Sequence, residues 1–343
     1  MNLDQAFEKY LPVVDAEMRR LFESPFGTLD PFYGMMAYHL GWLDESFSSI
    51  RASTGKRLRP ILCLLACGAA GGEPEDSIPA AIALELIHNF SLVHDDIQDN
   101  SATRRHRKTV WKIWGQPHAI NVGDGLFAMA FLSLAHLRGD LSAQRLSAIH
   151  QTFSESCLLL CEGQYMDMDF ETRLTVDADE YVRMIGRKTA ALLSCAAYVG
   201  ALIAGEEEDV ARKYRSFGEQ LGLAFQVQDD ILGIWGDPKV TGKPVADDIL
   251  QCKKTLPVLY ALQRERELDE DVLTALYAER AMSPGDIPVI LEIFERLKVL
   301  DYTISINSGY CDRALEELEK TGGRNPYHAI LVELVERLRD RPV

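Results

Sequence analysis

Residues 79–99 read PAAIALELIHNFSLVHDDIQD, and this stretch decides the fold class. Its first half is apolar on almost every side of a helix, which predicts a buried helix rather than a surface one. Its polar residues recur at spacings of three and four, so most of them share one stripe of the helix. An unpaired buried charge is costly, so this stripe must face something polar. The members of the stripe are Glu85, His88, Asp95, Asp96 and Asp99.

The acidic end of this helix favours a functional site over a turn that meets solvent. Asp95, Asp96 and Asp99 would lie at the helix C-terminus, where acidic side chains are unfavourable without a cation nearby. An internal cavity that holds a metal ion or a ligand explains their position better. An exposed terminal turn is the alternative that stays open.

The rest of the chain also has helical periodicity. Apolar residues recur at spacings of three and four in LEIFERLKVL at 291–300 and in ILVELVERLRD at 330–340. Clusters of Gly and Pro separate such segments, and no low-complexity linker interrupts the chain. Residues 1–343 are therefore predicted to form one all-α domain of about ten or more helices.

Composition bounds the class of protein. Of the 343 residues 47% are hydrophobic, and the formal net charge is -16, which disfavours nucleic-acid binding because phosphates require basic partners. Anionic ligands remain possible, since a divalent metal can bridge carboxylates to phosphates. The longest uncharged run, residues 189–205, is short for a membrane span and predicts a buried helix. We therefore expect no integral membrane segment. Seven scattered cysteines without a CxxC motif indicate reduced core thiols, so we expect a cytoplasmic protein.

A second stretch, FGEQLGLAFQVQDDILGIWGD at 217–237, repeats the pattern of the first. Gln226, Asp229, Asp230 and Gly233 fall on a similar stripe at the end of an apolar helix. Only folding could bring the two aspartate pairs together. If they face each other, every ligand would be a hard oxygen, which suits magnesium rather than zinc or copper. Magnesium bound by a few carboxylates keeps positions for water and phosphate.

Five basic clusters accompany the two aspartate pairs. Any single basic pair is more often a solvated surface, but five clusters beside Gly, Thr or Pro in an acidic protein indicate anion binding. They offer enough cations for two diphosphates, one bound through metal and one bound directly. No Walker A sequence and no GxGxxG fingerprint occur, which disfavours nucleotide binding. The clusters are GKRLRP (55–60), Arg104-Arg105, GRKT (186–189), TGKP (241–244) and CKKT (252–255).

From GKRLRP through CKKTLPVLYAL, these motifs resemble those of the trans-isoprenyl diphosphate synthases, the polyprenyl synthetase family, and follow the family's order. The pattern is most similar to short-chain geranylgeranyl diphosphate synthases. The resemblance implies a single-domain, all-α bundle of long helices around a deep central cavity, in a homodimer. It implies a magnesium-dependent prenyltransferase that condenses isopentenyl diphosphate head-to-tail with an allylic diphosphate (dimethylallyl, geranyl or farnesyl). Three magnesium ions are expected with substrate bound, and Mn²⁺ could replace them.

The resemblance also implies roles for individual residues. Asp95, Asp99 and Asp229 would bind the metal ions. Gly233 stands where the family's second motif has its third aspartate, and Asp237 lies too far along to be a sure substitute. The residues implied in catalysis are Asp95, Asp96, Asp99, Asp229, Asp230, Lys188, Thr189 and Gln226. The allylic diphosphate would be bound by Arg104, Lys188, Lys243 and Lys253, and isopentenyl diphosphate by Lys56, Arg59, His88 and Arg105.

Residues upstream of Asp95 would set the product length by forming the floor for the growing chain. Phe90 lies five residues before Asp95, which is about 7.5 Å of helix. The aromatic Phe90, the small Ser91 and the uninterrupted DDIQD spacing resemble geranylgeranyl diphosphate synthases of the archaeal type, with Ile87 one turn further down. These residues favour a twenty-carbon product. The alternative, that Phe90 is an ordinary core aromatic and the floor lies elsewhere, stays open.

Other functions are alternatives to this one. A synthase of farnesyl or longer polyprenyl diphosphates would differ only in product length. A class I terpene cyclase would share the metal-triggered ionisation but would not need the second diphosphate site, and its second metal motif usually carries Ser and Glu. A non-catalytic subunit of a heteromeric synthase would generally lack the first aspartate motif, which is intact here. A plain helical scaffold would show no magnesium dependence.

Overall fold

The structure, a computed structural model, describes residues 1–23, 31–52, 55, 57–137, 141–173, 175–237, 246–279 and 282–340. Helices dominate these residues, so the all-α prediction is confirmed. A 3₁₀ turn at Pro74–Ser77 precedes α4, a π-helical turn at Gly186–Ala190 joins α8 to α9, and β1 (Thr103–Arg104) and β2 (Arg107–Lys108) form a small hairpin. The α-helices are α1 (Leu3–Phe22), α2 (Pro31–His39), α3 (Leu58–Ala69), α4 (Ile78–Gln98), α5 (Val110–Trp114), α6 (Gln116–Leu134), α7 (Ala143–Thr172), α8 (Ala178–Ile185), α9 (Ala191–Ile203), α10 (Glu208–Trp235), α11 (Asp247–Leu250), α12 (Leu256–Glu267), α13 (Val272–Glu279), α14 (Ile287–Arg296), α15 (Val299–Lys320) and α16 (Pro326–Arg339).

The chain divides into two compact units. The first comprises residues 1–152, 196–212 and 323–331, and the second comprises residues 153–195, 213–322 and 332–343. Each unit contains one of the two aspartate pairs, and each is described by itself below. The single domain expected over 1–343 stays a prediction.

Helix α4 is the central element of the first unit, and it is the helix predicted from residues 79–99. It packs most extensively against α6 and next against α3. Pro79 stands in its first turn, where the missing N–H of proline costs nothing, and Asp99 is its C-cap. Because α4 is covered along most of its length, only its last turn presents carboxylates outward.

The β1–β2 hairpin follows directly after α4 and was not predicted from the sequence. Thr103 pairs with Lys108 and Arg104 with Arg107, so Arg105 and His106 form a two-residue turn. Both turn residues have positive φ, 50° and 62°, a conformation that hairpin turns usually reserve for Asn or Gly. The absence of Asn and Gly at these two positions explains why no hairpin was expected from the residue pattern. Backbone held in this region by larger side chains is typical of functional sites.

The second unit has an apolar core near the end of α10. Ile234 packs there with Ala246 and Ile249, which flank and belong to the short helix α11, and with Phe294 of α14. Helix α12 contacts α13, α15 and α8. This core fixes the segment that runs from α11 to α12 next to the second aspartate pair.

Two further expectations concern membranes and thiols. Across the described ranges, no helix has the length and apolar character required to cross a membrane. Residues 191–203 form α9 and are buried, as predicted for the uncharged run. All seven cysteines are free thiols, but Cys161 is exposed and therefore departs from the prediction of core cysteines.

Candidate active site

The three aspartates of the first motif differ in exposure. Asp96 is only 2% exposed and accepts a hydrogen bond from Arg104 Nε at 2.8 Å. Asp95 is partly buried and Asp99 is exposed. Burial raises the pKa of Asp96 to about 6, although the guanidinium of Arg104 acts in the opposite direction. Asp96 therefore positions Arg104, while Asp95 and Asp99 are the more exposed carboxylates of the motif.

A group of cationic side chains lies beside this motif in the first unit. A Cβ on Gly55 would lie 2.8 Å from Arg105 Nη2, and Gly55 has φ +79°, so only glycine allows this approach. Burial and the charges of Arg59 and Arg105 hold the pKa of His88 well below its ordinary value. Burial also lowers the pKa of Arg105. The structure thus brings Arg59, His88 and Arg105 together, while Lys56 lies outside the described residues.

Two other residues of the predicted patterns form contacts within the protein. They are Arg57 of the GKRLRP cluster and Glu85 of the polar stripe on α4. Arg57 Nη1 donates to Asp15 at 2.9 Å, and its Nε lies 3.8 Å from Glu85 Oε1. Asn89 also donates to Glu85 Oε1 at 2.9 Å. Glu85 is therefore the polar residue of the α4 stripe that meets a buried arginine rather than a cavity. The sequence offered no signal for Asp15, whose contact with Arg57 is set only by the packing of α1.

The second motif shows the same division between its two aspartates. Asp230 is 2% exposed and accepts hydrogen bonds from Tyr181 Oη, from Leu256 N at 3.1 Å and from Gln226 Nε2 at 3.1 Å. Asp229, by contrast, is only partly buried. Burial raises the pKa of Asp230 to about 7 in spite of these donors. Asp230 ties α10 to α8 and α12, and Asp229 is the more exposed member of the pair.

A polar pocket of about 190 Å³ surrounds this motif in the second unit. In it, Thr189 donates to Gln226 at 2.7 Å, and Lys188 Nζ lies 2.5 Å from Asp167 Oδ2. The predicted residues that line it are Asp229, Asp230, Lys188, Thr189, Gln226 and Lys253, whereas Lys243 lies outside the described residues. The lining residues that sequence reasoning missed are Asp167, Tyr181, Met184, Ile185 and Asp248, whereas Lys254 and Thr255 belong to the predicted CKKT cluster.

The two adjacent lysines of the CKKT cluster, Lys253 and Lys254, have different surroundings. Lys254 Nζ donates to the carbonyl of Phe170 at 2.7 Å and to that of Arg173, at the end of α7. A cation at a helix C-terminus stabilises the exposed carbonyl groups there. Lys254 is therefore bonded to backbone carbonyl groups of α7 and the residue after it. This favours Lys253 as the lysine of the pair that binds an anion.

The π-helical turn at Gly186–Ala190 presents Lys188 and Thr189 to the pocket. Single π-turns inside helices are frequent at functional sites because they redirect neighbouring side chains. The turn passes close to α7, where a Cβ on Gly163 would lie 2.3 Å from the backbone nitrogen of Lys188. Gly163 therefore permits the approach that sets the position of Lys188, and no sequence motif pointed to it.

A family model described as "Polyprenyl synthetase" matches residues 41–294, which is most of the chain. The chain belongs to the polyprenyl synthetase family. The family and the enzyme class predicted from the sequence, a trans-prenyltransferase, are thereby confirmed.

Relatives within the polyprenyl synthetase family include synthases of two product lengths. The chain is 43% identical over 258 residues to a geranylgeranyl diphosphate synthase of Mycobacterium tuberculosis, covering 75% of this chain and 73% of the relative. It is 45% identical over 236 residues to a (2E,6E)-farnesyl diphosphate synthase of the same organism, covering 68% of this chain and 64% of the relative.

Solved structures of the polyprenyl synthetase family share the fold. A polyprenyl synthetase from Streptomyces coelicolor A3(2) has a TM-score of 0.86 and 34% identity, with 98% of each chain covered. A geranylgeranyl pyrophosphate synthase from Corynebacterium glutamicum, solved with isoprenyl diphosphate and magnesium, has a TM-score of 0.84 and 27% identity over 100% of both chains.

The side chains of this polyprenyl synthetase fit a hard divalent cation. Asp95, Asp99 and Asp229 offer only carboxylate oxygens, which magnesium prefers. Among the described residues, no group of three or more His, Cys, Asp or Glu side chains is arranged to hold a metal ion. Magnesium commonly binds through one or two carboxylates and completes its shell with water and phosphate oxygens. Asp96 Oδ2 is buried without a hydrogen-bond partner in the described part of the chain, which also marks this end of α4 as a polar site.

The residues predicted to set chain length lie on the buried part of α4. Phe90 is 7% exposed and meets the ring of Phe127 edge-to-face, with centroids 5.2 Å apart. Phe127 in turn contacts Phe131, with centroids 5.0 Å apart. Ser91 donates to the carbonyl of His88 at 2.8 Å, and Ile87 is fully buried. The aromatic cluster of Phe90, Phe127 and Phe131 was not visible in the sequence, because α6 supplies two of its members.

Proposed function

We propose that this protein condenses isopentenyl diphosphate head-to-tail with an allylic diphosphate and releases geranylgeranyl diphosphate. The observation that carries the proposal is the group formed by the cations Arg59 and Arg105 and the neutral ring of His88, which lies beside the first aspartate motif but is distinct from its carboxylates. A synthase needs such a second diphosphate site, whereas a terpene cyclase does not. The family membership supports the same reaction class.

In this proposal, the aspartate motifs and their lysines act on the allylic diphosphate. Bound magnesium would supply Lewis-acid stabilisation of the departing diphosphate, held by Asp95, Asp99 and Asp229. Lys188 and Lys253 would add point charges as the carbon–oxygen bond breaks, because preorganised cations stabilise developing negative charge. Three ions are proposed with substrate bound, with Mn²⁺ as a possible replacement.

The remaining side chains would orient the reactants. Arg104 is held by Asp96 and would bind the allylic diphosphate through its remaining nitrogens. Arg105, Arg59 and a neutral His88 would hold isopentenyl diphosphate without metal, so that its double bond attacks the allylic cation. The Thr189–Gln226 hydrogen bond would place two polar oxygens toward that cation. A proton is then lost from the adduct, with the released diphosphate as the base.

Product length is the finer part of the proposal. Phe90 would form the floor for the growing chain, supported by Phe127, and Ser91 and Ile87 would shape the same region. We expect Phe90→Ala to extend the main product beyond twenty carbons, because it removes a bulky ring from a packed cluster. Product chromatography checks this. An unchanged product length for a folded variant would assign the floor elsewhere.

One assay tests the reaction itself. Purified protein would receive magnesium, labelled isopentenyl diphosphate and each allylic primer in turn, with EDTA as the matched control. We expect condensation in every magnesium sample with an accepted primer and none with EDTA. The absence of condensation with all primers would overturn the proposal.

A farnesyl diphosphate synthase is the second candidate, and one observation favours it. The identity to a mycobacterial farnesyl diphosphate synthase, 45%, is as high as that to the geranylgeranyl enzyme. The same assay separates the two candidates, since a farnesyl synthase stops at fifteen carbons. A homodimeric state and a cytoplasmic location remain part of the proposal, and sedimentation of the purified protein would test the first.

A further inference from the structure

Asp230, the buried member of the second aspartate pair, accepts hydrogen bonds from three helices of the second unit. Tyr181 Oη of α8 and the backbone nitrogen of Leu256, at the start of α12, both donate to its Oδ2. Gln226 Nε2, one turn earlier on α10, donates to its Oδ1 at 3.1 Å. All three partners are donors, so Asp230 acts here only as an acceptor. Its carboxylate is thereby fixed in one orientation.

The orientation of Asp230 determines which end of the Gln226 amide faces Thr189. Because the amide nitrogen donates to Asp230, the amide oxygen accepts from the hydroxyl of Thr189, at 2.7 Å. The hydroxyl proton of Thr189 is then committed to Gln226, and the lone pairs of its oxygen stay available. Four side chains therefore form one continuous chain of hydrogen bonds, from Tyr181 through Asp230 and Gln226 to Thr189.

Tyr181 is the anchored end of this chain of hydrogen bonds. It is 2% exposed, and burial together with the charge of Asp230 raises the pKa of its phenol well above the ordinary value, so the phenol keeps its proton and donates. A capping box fixes the start of α8, where Asp177 accepts from Glu180 N at 2.7 Å. The backbone nitrogen of Tyr181 donates to the carbonyl of Asp177 at 3.0 Å. The hydroxyl of Tyr181 therefore belongs to a well-anchored helical turn.

Without the Tyr181 hydroxyl, two side chains of the pocket could reverse their hydrogen-bond roles. A primary amide has a donor end and an acceptor end, and a hydroxyl proton rotates to suit its surroundings. If Asp230 turned away, Gln226 could present its amide hydrogens to the pocket, and Thr189 its hydroxyl proton. Either change would direct the positive end of a dipole toward the allylic cation of the proposed reaction. Preorganised dipoles stabilise a developing charge only when they point in the correct direction.

We infer that Tyr181 is a positioning residue for the condensation, which acts through Asp230 to hold the oxygens of Gln226 and Thr189 toward the developing allylic cation. The inference rests on the proposed function. It extends that function from the two side chains that would face the cation to the buried side chain that orients them. Tyr181 acts without touching the substrate, and it belongs to none of the motifs by which the sequence pointed to the site.

The test compares Tyr181→Phe with Tyr198→Phe, in which a buried tyrosine also loses a hydroxyl that donates to a carboxylate. Tyr198 is 4% exposed and donates to Glu208 Oε2 at 2.8 Å, in the first unit. Two bisphosphonates, which are stable diphosphate mimics, serve as probes in the presence of Mg²⁺. One has a neutral alkyl chain, and the other has a chain of equal length with an ammonium group at the position of the allylic cation. Calorimetry gives the dissociation constant of each probe.

The ratio of the two dissociation constants measures how well the site stabilises positive charge. We expect Tyr181→Phe to bind the neutral probe as the wild type does and the ammonium probe about tenfold more weakly. Its kcat should fall about 10- to 100-fold with little change in either KM, because the catalytic oxygens are misplaced. Tyr198→Phe should keep the wild-type ratio and kcat. A purely structural defect would weaken the binding of both probes alike.

Two further variants test whether Tyr181 acts through the chain of hydrogen bonds. Tyr181→Phe should slow a Thr189→Val chain less than it slows the wild type, because residues that act as one unit are not additive. Losses that multiply in full would show that Tyr181 acts independently of Thr189, contrary to the inference. Gln226→Met keeps the length of the side chain but cannot donate to Asp230, so it should lose the same preference for the ammonium probe.

Binding results of three kinds would also overturn the inference. They are a folded Tyr181→Phe variant with the wild-type ratio, a Tyr181→Phe variant that binds both probes equally more weakly, and a Gln226→Met variant that keeps the wild-type preference. The last decides the matter if Tyr181→Phe does not fold. In each case the wild type would still condense its substrates. A wild type that neither condenses them nor binds the neutral probe with Mg²⁺ would instead overturn the proposed function.

Discussion

At the scale of single residues, each aspartate pair combines one buried carboxylate with one that is more exposed. Asp96 holds Arg104, and Asp230 accepts from Tyr181, Gln226 and Leu256 N. Adjacent residues on a helix point about 100° apart, so one member of a pair can face the core while the other faces a site. We therefore expect the buried member to support the structure and the more exposed member to act on the substrate.

This division predicts different defects for Asp229→Asn and Asp230→Asn. Asp229→Asn should lower kcat about 10²- to 10³-fold with little change in melting temperature, because it removes charge that acts on the substrate. Asp230→Asn should cost about 1–3 kcal/mol of unfolding free energy, since an amide cannot accept from all three donors. Steady-state kinetics and denaturant unfolding separate the two effects. Equal losses of stability in both variants would contradict the division.

At the scale of elements, the contact between α7 and the π-helical turn positions Lys188 in the pocket of the second aspartate motif. Gly163 lies against the backbone of Lys188, and Gly186 begins the turn with open space around it. A side chain at residue 163 would collide with the backbone of the turn. Backbone atoms cannot rotate away as a flexible side chain can. The turn is thus a positioning device that depends on one small residue in a neighbouring helix.

Gly163→Ala and Gly186→Ala form a matched pair for this contact. Gly163→Ala should lower kcat by about tenfold or more, because even small displacements of a catalytic group are costly. Gly186→Ala should leave stability unchanged or raise it by up to about 1 kcal/mol, since alanine favours a helix over glycine. Kinetics and thermal unfolding of both variants check the pair, and wild-type kinetics for Gly163→Ala would refute the positioning role.

At the scale of the whole molecule, a partly buried histidine, His39, links folding to pH. Burial, together with the charges of Arg105, Arg104 and Arg107, lowers the pKa of His39 to about 3. An unfolded histidine has a pKa near 6.5, so the unfolded chain binds an extra proton between these values. Stability contributed by the neutral ring is therefore present above pH 6.5 and is lost as the pH falls toward 3.

His39→Gln should flatten this acid dependence, because glutamine does not titrate. Between pH 6.5 and pH 5 the wild type should lose about 2 kcal/mol more unfolding free energy than the variant. Urea unfolding at both pH values measures the difference. Parallel losses in the two proteins would show that His39 is not held neutral by the fold.

The sequence by itself determined the fold class, the family and most of the candidate site. Helical periodicity and the buried stretch at 79–99 identify α4, and the spacing of the aspartates places them on its last turn. Local patterns of this kind are readable because a helix converts sequence spacing directly into a shared face.

Only the tertiary structure decided which charged side chains form hydrogen bonds and ion pairs within the protein. The family resemblance singled out Arg59, Lys253 and Asp95, but residue patterns alone gave no physical reason for the choice. The reason lies in the distant segments that bind Arg57, Lys254 and Asp96. The sequence also could not show that the carboxylate of Asp248 packs against Gly233. The physical reason is that burial and hydrogen bonding between segments far apart in the chain depend on packing, which no local pattern records.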